Sequence, residues 1–103
     1  MERTEILRRA KAALQEAFGD RLRGVILYGS EARGTAEPDS DVDLLVLLSD
    51  RPTWEDATRS IRAVRPIFYE TWRPIHCFEV NEAEYEGQEW PLYRVVKEEG
   101  IRL

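Results

Sequence analysis

The sequence predicts an α/β domain in which helices flank a small mixed sheet. Two short apolar runs, at residues 25–28 and 44–48, are rich in branched side chains and bounded by Gly, Pro or Asp, which is typical of buried strands. Longer segments on either side of them carry apolar residues at helical spacing. A chain of 103 residues has room for a single core, so we expect one domain over residues 1–103.

The first helix is predicted over residues 3–18, because its apolar residues recur every three or four positions. The Gly-Asp pair at 19–20 then provides a stop. A second helix is expected after a cap formed by the Pro-Thr pair at 52–53, and Pro66 is expected to end or kink it. Residues 67–73 fit neither a helix nor a strand clearly.

The third strand is predicted over residues 74–80, another apolar run that follows a proline. Asn81 with Glu84 three residues later resembles a capping box, so a further helical turn should open there. A last helix is predicted over residues 89–99, ending at Gly100.

Charge and cysteine content exclude several functions. Charged residues form 34% of the chain and the net charge is −5, which leaves no electrostatic footprint for nucleic acid, so DNA or tRNA is not expected as a substrate. Cys77 is the single cysteine, which excludes an internal disulfide. No apolar run approaches the length of a signal or membrane segment, and we expect a cytoplasmic protein.

The most informative segment joins the first two strands. Gly29 and Ser30 follow the first strand directly, and Asp41 and Asp43 open the second one after ten intervening residues. Residues two apart in a strand point to the same face, so the two aspartates should project their carboxylates together while Val42 points into the core. Two like charges that close together are costly unless a cation lies between them.

These residue types suit a phosphate and its metal ion. Hard carboxylate oxygens favour Mg²⁺, whose coordination is usually completed by water and substrate phosphates. Gly29 allows a ligand to approach the main chain, and Ser30 adds a hydroxyl where a helix can begin. Each half of the pattern alone is typical of an ordinary turn or of a loop entering a strand. The combination favours a nucleoside triphosphate site.

The motif resembles the signature of the minimal nucleotidyltransferases of prokaryotes, small members of the DNA polymerase beta-like superfamily that include the MntA-like antitoxins of HEPN/MNT modules. The resemblance rests on Gly29-Ser30, on Ala32-Arg33-Gly34 and on the segment from Ser40 to Leu44. It implies the polymerase beta-like fold and the transfer of a nucleoside monophosphate, AMP from ATP for example, to a hydroxyl group. It also implies Mg²⁺ on the aspartates, β and γ phosphates on the Gly-Ser turn, and a helical HEPN-domain toxin as partner.

The sequence departs from the family pattern at one position. A later strand of the family usually supplies a third acid that helps to hold the metal and takes the proton from the attacking hydroxyl, and His76 occupies that place here. Histidine can act as a base near neutral pH, but imidazole suits Mn²⁺ better than Mg²⁺. The nearest acid, Glu79, should face the other side of the strand unless a bulge brings it round. The alternative is a partly buried His76 that is hydrogen-bonded to the backbone and remote from the metal.

Several other side chains have two interpretations each. Arg33 is expected near the phosphates, or else in a surface ion pair with Glu31 or Glu37. Ser40 is assigned to nucleotide binding because it precedes Asp41 in the signature. Aromatic residues at helical spacing are usually core residues or interface anchors. The candidates for contact with a partner are Trp72, Trp90 and Tyr93.

Three functions follow from these residues. The first is an active Mg²⁺-dependent nucleotidyltransferase that modifies a partner protein, the antitoxin of a HEPN/MNT pair. The second is a catalytically weak nucleotide-binding protein on the same fold that neutralises a HEPN partner by direct contact, which His76 favours. The third, a small-molecule transferase, is disfavoured because a chain of this length leaves no room for a second substrate domain.

Overall fold

The computed structural model describes residues 2–34, 40–87 and 90–103. Its α-helices are Arg3–Phe18 (α1), Ser30–Arg33 (α2), Trp54–Thr71 (α3), Glu82–Glu86 (α4) and Pro91–Glu99 (α5). Its strands are Leu22–Tyr28 (β1), Val42–Leu48 (β2), Ile75–Asn81 (β3) and Ile101–Arg102 (β4), and a 3₁₀ turn, Gly19–Arg21, joins α1 to β1.

The strands form one mixed sheet in the order β3-β2-β1-β4. Strands β2 and β3 run parallel, whereas β1 is antiparallel to both β2 and β4. This confirms the predicted α/β class with a small mixed sheet. Every residue of the central strand β2 is buried except Asp43, which is half-buried. A strand enclosed on both faces explains the continuous apolar run of its sequence.

Helices cover both faces of the sheet. One face packs against α1 and α3 in a core that includes Leu14, Leu27, Leu44, Val64 and Ile67. The other face carries α4 and α5, whose Tyr85, Tyr93 and Val96 pack on Leu45 and Leu47. Within the described residues, no helix combines the length and apolar composition that crossing a membrane would require.

Helix α1 has the predicted bounds, and of the two outcomes expected at Pro66, an end or a kink, α3 does not show the end. It continues to Thr71, because Val64 and Ile67 on either side of the proline are buried and hold the helix to the core. Pro66 and Arg62 are both exposed, so the hydrogen bond that Pro66 cannot donate to the Arg62 carbonyl is lost on the solvent side of the helix.

The remaining elements follow the predictions closely. The Asn81 side chain accepts a hydrogen bond from the Glu84 amide at the start of α4, which is the predicted cap. The predicted start of the last helix at residue 89 lies outside the described residues, and α5 runs from Pro91. Strand β4, at residues 101–102, was not predicted.

Candidate active site

The topology brings the singled-out residues to one end of the sheet. Strand β1 ends at Tyr28, where its antiparallel neighbour β2 begins, and β3 begins beside β2 because those two strands are parallel. In this register Asp43 lies opposite Tyr28 on one side and opposite His76 on the other. The turn after β1, both aspartates and the histidine therefore share this end.

Gly29 is in direct contact with this cluster. Its φ is +77°, and a Cβ placed on it would lie 2.7 Å from the Oδ2 atom of Asp43. A side chain at residue 29 would both strain the backbone and displace the carboxylate. The close approach of the turn to Asp43 thus requires glycine.

Asp41 and His76 form a second contact of the cluster. His76 Nε2 lies 2.8 Å from Asp41 Oδ2, and their side chains are 60% and 54% exposed. This contact does not fit the alternative in which His76 is partly buried, bonded to the backbone and remote from the aspartates. The contact leaves both groups open to a ligand from solvent.

Electrostatics single out Asp43. Its burial raises the pKa of the carboxyl above the usual value; the His76 side chain lowers this pKa and Asp41 raises it further. Burial and the charge of Asp43 also raise the pKa of the neighbouring Tyr28 hydroxyl. The site thus holds carboxylate charge that its own side chains do not fully offset.

The donor set fits a magnesium ion whose coordination a substrate completes. Within residues 2–34, 40–87 and 90–103, no three His, Cys, Asp or Glu side chains are grouped so as to enclose a metal by themselves. Two carboxylates at one end of the sheet, both reachable from solvent, match Mg²⁺ bound through one or two carboxylates and substrate phosphates. Asp41 and Asp43 are the residues that would hold it.

The other predicted ligands border the cluster. Ser30 begins α2, and the Arg33 amide donates to the Gly29 carbonyl at 3.2 Å, which closes the turn. The Arg33 guanidinium lies 3.6 Å from Glu99 of α5, an ion pair that was not predicted, while those expected with Glu31 or Glu37 stay predictions. Residue 37 and the side chain of residue 31 lie outside the described part of the structure.

Ser40 enters the site through its backbone, by a contact that sequence analysis missed. Its carbonyl oxygen accepts hydrogen bonds from Arg73, which lies between α3 and β3. The partners are 33 residues apart, so no local pattern signals the contact.

Glu79 does not join the site. The pairing of β2 with β3 is continuous along both strands, with no bulge, and it places Glu79 beside Val46 on the face covered by α3. Burial raises the pKa of the Glu79 carboxyl. The same register places His76 beside Asp43, so His76 and not Glu79 is the side chain of β3 that faces the aspartates.

Two of the three aromatic residues predicted to contact a partner are exposed. Trp72 and Trp90 are 72% and 56% exposed. The prediction for Tyr93 is wrong, because its side chain is 3% exposed and its ring lies in the core against Tyr85. The Trp90 ring stacks on the Tyr93 ring with 5.7 Å between the ring centroids. The exposed Trp90 side chain is therefore held in place by a buried one.

A glycine turn and two carboxylates thus meet at one end of a mixed sheet, with His76 beside them. The turn and the carboxylates are the groups that a protein needs to bind a polyphosphate with its metal ion. Residues 7–103 match the family model described as "Nucleotidyltransferase domain", and the chain belongs to that family. Its enzyme class is nucleotidyltransferase, which confirms what the resemblance implied.

Individual relatives agree with this assignment. The Methanocaldococcus jannaschii protein named "Putative protein adenylyltransferase MJ0141" is 32% identical over 100 residues, covering 86% of this chain and 99% of that protein.

Solved structures confirm the fold. A toxin-antitoxin crystallised with AMP-PNP superposes with a TM-score of 0.64 at 17% identity, over 90% of this chain and 68% of that one. The spectinomycin adenyltransferase AAD(9) from Enterococcus faecialis, solved with ATP and spectinomycin, gives a TM-score of 0.63 at 23% identity over 81% of this chain. This chain spans 36% of that enzyme's length. Both likenesses support the predicted polymerase beta-like nucleotidyltransferase fold.

Proposed function

We propose that this protein transfers AMP from ATP, with Mg²⁺, to a hydroxyl group of a partner protein in the cytoplasm. The observation that carries the proposal is the Asp43 carboxylate held against Gly29, with Asp41 and His76 in contact beside it. A structural subunit has no physical need for two aspartates that share one face with incomplete charge compensation.

The roles of the residues follow from their positions. Asp41 and Asp43 would hold Mg²⁺, which when bound offsets the charge of the triphosphate and of the pyrophosphate that leaves. Gly29 and Ser30 bind the β and γ phosphates at the turn. The acceptor oxygen bonds to the α phosphorus as the bond from that phosphorus to the bridging oxygen breaks. His76 takes the proton of the acceptor hydroxyl, and Asp41 at 2.8 Å orients its ring.

A toxin is the partner we propose, with the pair acting as a HEPN/MNT module. The likeness to a toxin-antitoxin of known structure supports a toxin as the acceptor. The exposed rings of Trp72 and Trp90 are of the residue type that anchors protein interfaces.

The second candidate is a catalytically weak binder that masks the toxin by contact. His76 is the observation that favours it, because imidazole supplies neither the charge nor the hard oxygen of a third carboxylate. Both candidates predict a complex with the partner, and chemistry on the partner separates them.

The deciding experiment is transfer of α-labelled AMP from ATP to the product of the adjacent reading frame, followed by mass spectrometry of that product. The wild type should add one AMP, and Asp43→Asn should lower the rate by more than about 100-fold, because loss of a mere supporting residue already costs 10 to 100-fold. Asp20→Asn, an identical change at an exposed aspartate of the 3₁₀ turn, is the matched control and should keep full activity. A partner that is bound but never labelled would establish the binder instead.

A further inference from the structure

Both chain neighbours of Asp41 are hydrogen-bonded to the same short connector, residues 72–74, which joins α3 to β3. Strand β2 begins at Val42, so Asp41 precedes the regular ladder, whereas Asp43 lies within it. On one side of Asp41, Arg73 Nε and Nη2 donate to the Ser40 carbonyl at 3.2 and 2.9 Å. On the other side, the Val42 amide donates to the Pro74 carbonyl at 2.8 Å.

The connector is itself held by the end of α3. The Thr71 hydroxyl donates to the Ile67 carbonyl at 2.8 Å and accepts from the Arg73 amide at 3.2 Å. The Trp72 amide donates to the Phe68 carbonyl at 2.7 Å. Trp72 has a φ of 57°, a left-handed conformation that costs a non-glycine residue about 1 to 2 kcal/mol. Arg73 therefore starts from a fixed backbone position.

From this arrangement we infer that Arg73 is a positioning residue for the carboxylate of Asp41. By holding the Ser40 carbonyl with two donors, it fixes the chain where Asp41 meets His76. Asp43 needs no such support, because strand pairing on both sides already holds it. A guanidinium can direct two neighbouring N–H donors at one oxygen from a rigid plane, which an ammonium group cannot reproduce. The consequence for metal and nucleotide rests on the proposed function.

The direct test needs no catalysis. His76 is the sole histidine of the chain, so the nitrogen resonances of its ring report the contact with Asp41 without ambiguity. Arg73→Met keeps the length of the side chain and removes both donors, and we expect the Nε2 resonance to shift as the contact is lost. Arg73→Lys should shift it less, because one hydrogen bond survives.

The matched control is Arg102→Met. Arg102 Nη2 also donates to a backbone carbonyl, that of Arg23 at 2.7 Å, near the start of β1 and away from Gly29 at its end. This variant loses the same type of hydrogen bond, yet its His76 resonances should match the wild type. Equal spectra for Arg73→Met, Arg102→Met and the wild type would overturn the inference.

The second readout is the dependence of transfer on magnesium. Arg73→Met should raise the apparent KM for Mg²⁺ about tenfold, as loss of an outer supporting group does. At saturating Mg²⁺ kcat should be nearly unchanged, because a bound metal ion would itself hold the Asp41 carboxylate where it meets His76. An equal fall in kcat at every Mg²⁺ concentration would contradict positioning. If the wild type transfers nothing, the proposed function fails, while the histidine spectra still decide the role of Arg73. Should Arg73→Met not fold, Arg73→Lys decides by the same two measurements.

Discussion

Two aspartates, Asp56 beyond the end of β2 and Asp43 at the start of that strand, show what separates a structural carboxylate from a functional one. Asp56, in the first turn of α3, is 2% exposed and receives two bonds from Arg21, each 2.9 Å long, and one from the Thr53 amide. These bonds outweigh burial and lower the pKa of Asp56 to about 2. Burial instead raises the pKa of Asp43, whose neighbour Asp41 is another acid.

The comparison indicates that the functional carboxylate is the one whose charge the protein itself does not neutralise. A bidentate arginine satisfies Asp56 within the fold, so nothing remains for a ligand to gain there. At the other end, the Asp43 carboxylate meets the bare backbone of Gly29, and its charge is left for a cation from solution. Breaking each end should therefore affect different measurements.

The largest effect on stability is expected from Asp56→Asn. It removes the charge that pairs with Arg21 and should cost about 3 kcal/mol of unfolding free energy, as breaking a buried ion pair does. Urea unfolding at pH 7 measures it. Asp43→Asn, the matched control, should keep or raise stability, because it removes one of two like charges.

The pH dependence of the two variants should run in opposite directions. The folded pKa of Asp56, about 2, lies below its ordinary value of 3.8, so its contribution is complete above about pH 4 and fades as the pH falls through 2. For Asp43 the folded pKa is raised, so any gain from Asp43→Asn appears as the pH rises through that pKa and is absent in acid. Parallel stability profiles of both variants between pH 2 and 7 would contradict the comparison.

Much of the fold follows from local patterns that the sequence displays. Apolar spacing defines α1 to the residue, and the Asn81 cap marks the start of α4. Pro66 does not end α3, because burial on either side of it outweighs the lost hydrogen bond. Strand β4 is two residues long and exists through its pairing with β1, which no local pattern reveals.

The site also contains features that the sequence predicts and features that only the structure reveals. The shared face of Asp41 and Asp43 follows from strand geometry alone. The contact of Asp41 with His76 depends on the parallel register of β2 and β3, and here the family resemblance supplied the expectation. The hydrogen bonds from Arg73 to Ser40 join distant segments, so they required the structure.

A smaller, opposite effect should follow from His76→Asp. The side chain is 60% exposed, so a carboxylate there stays hydrated and should lower the stability of the metal-free protein by less than about 1 kcal/mol. With Mg²⁺, the added charge and hard oxygen should raise the transfer rate about tenfold, or about 1.4 kcal/mol. His76→Asn, a neutral side chain of similar size, should give no such gain. Reduced stability without a faster rate would remove His76 from the third-ligand position.

The smallest effect is expected from Glu79→Gln, which asks whether an acid beside α3 contributes to the site at all. Burial raises the pKa of the Glu79 carboxyl, and the neighbouring Ser60 hydroxyl of α3 lowers it only in part. An amide avoids burying charge, so the variant should gain up to about 1 kcal/mol at neutral pH, a difference that disappears as the pH falls through the raised pKa. Transfer should be unchanged, because the register of β3 directs this side chain away from Asp41 and Asp43. A large loss of transfer would instead make Glu79 the third acid and return His76 to a supporting role.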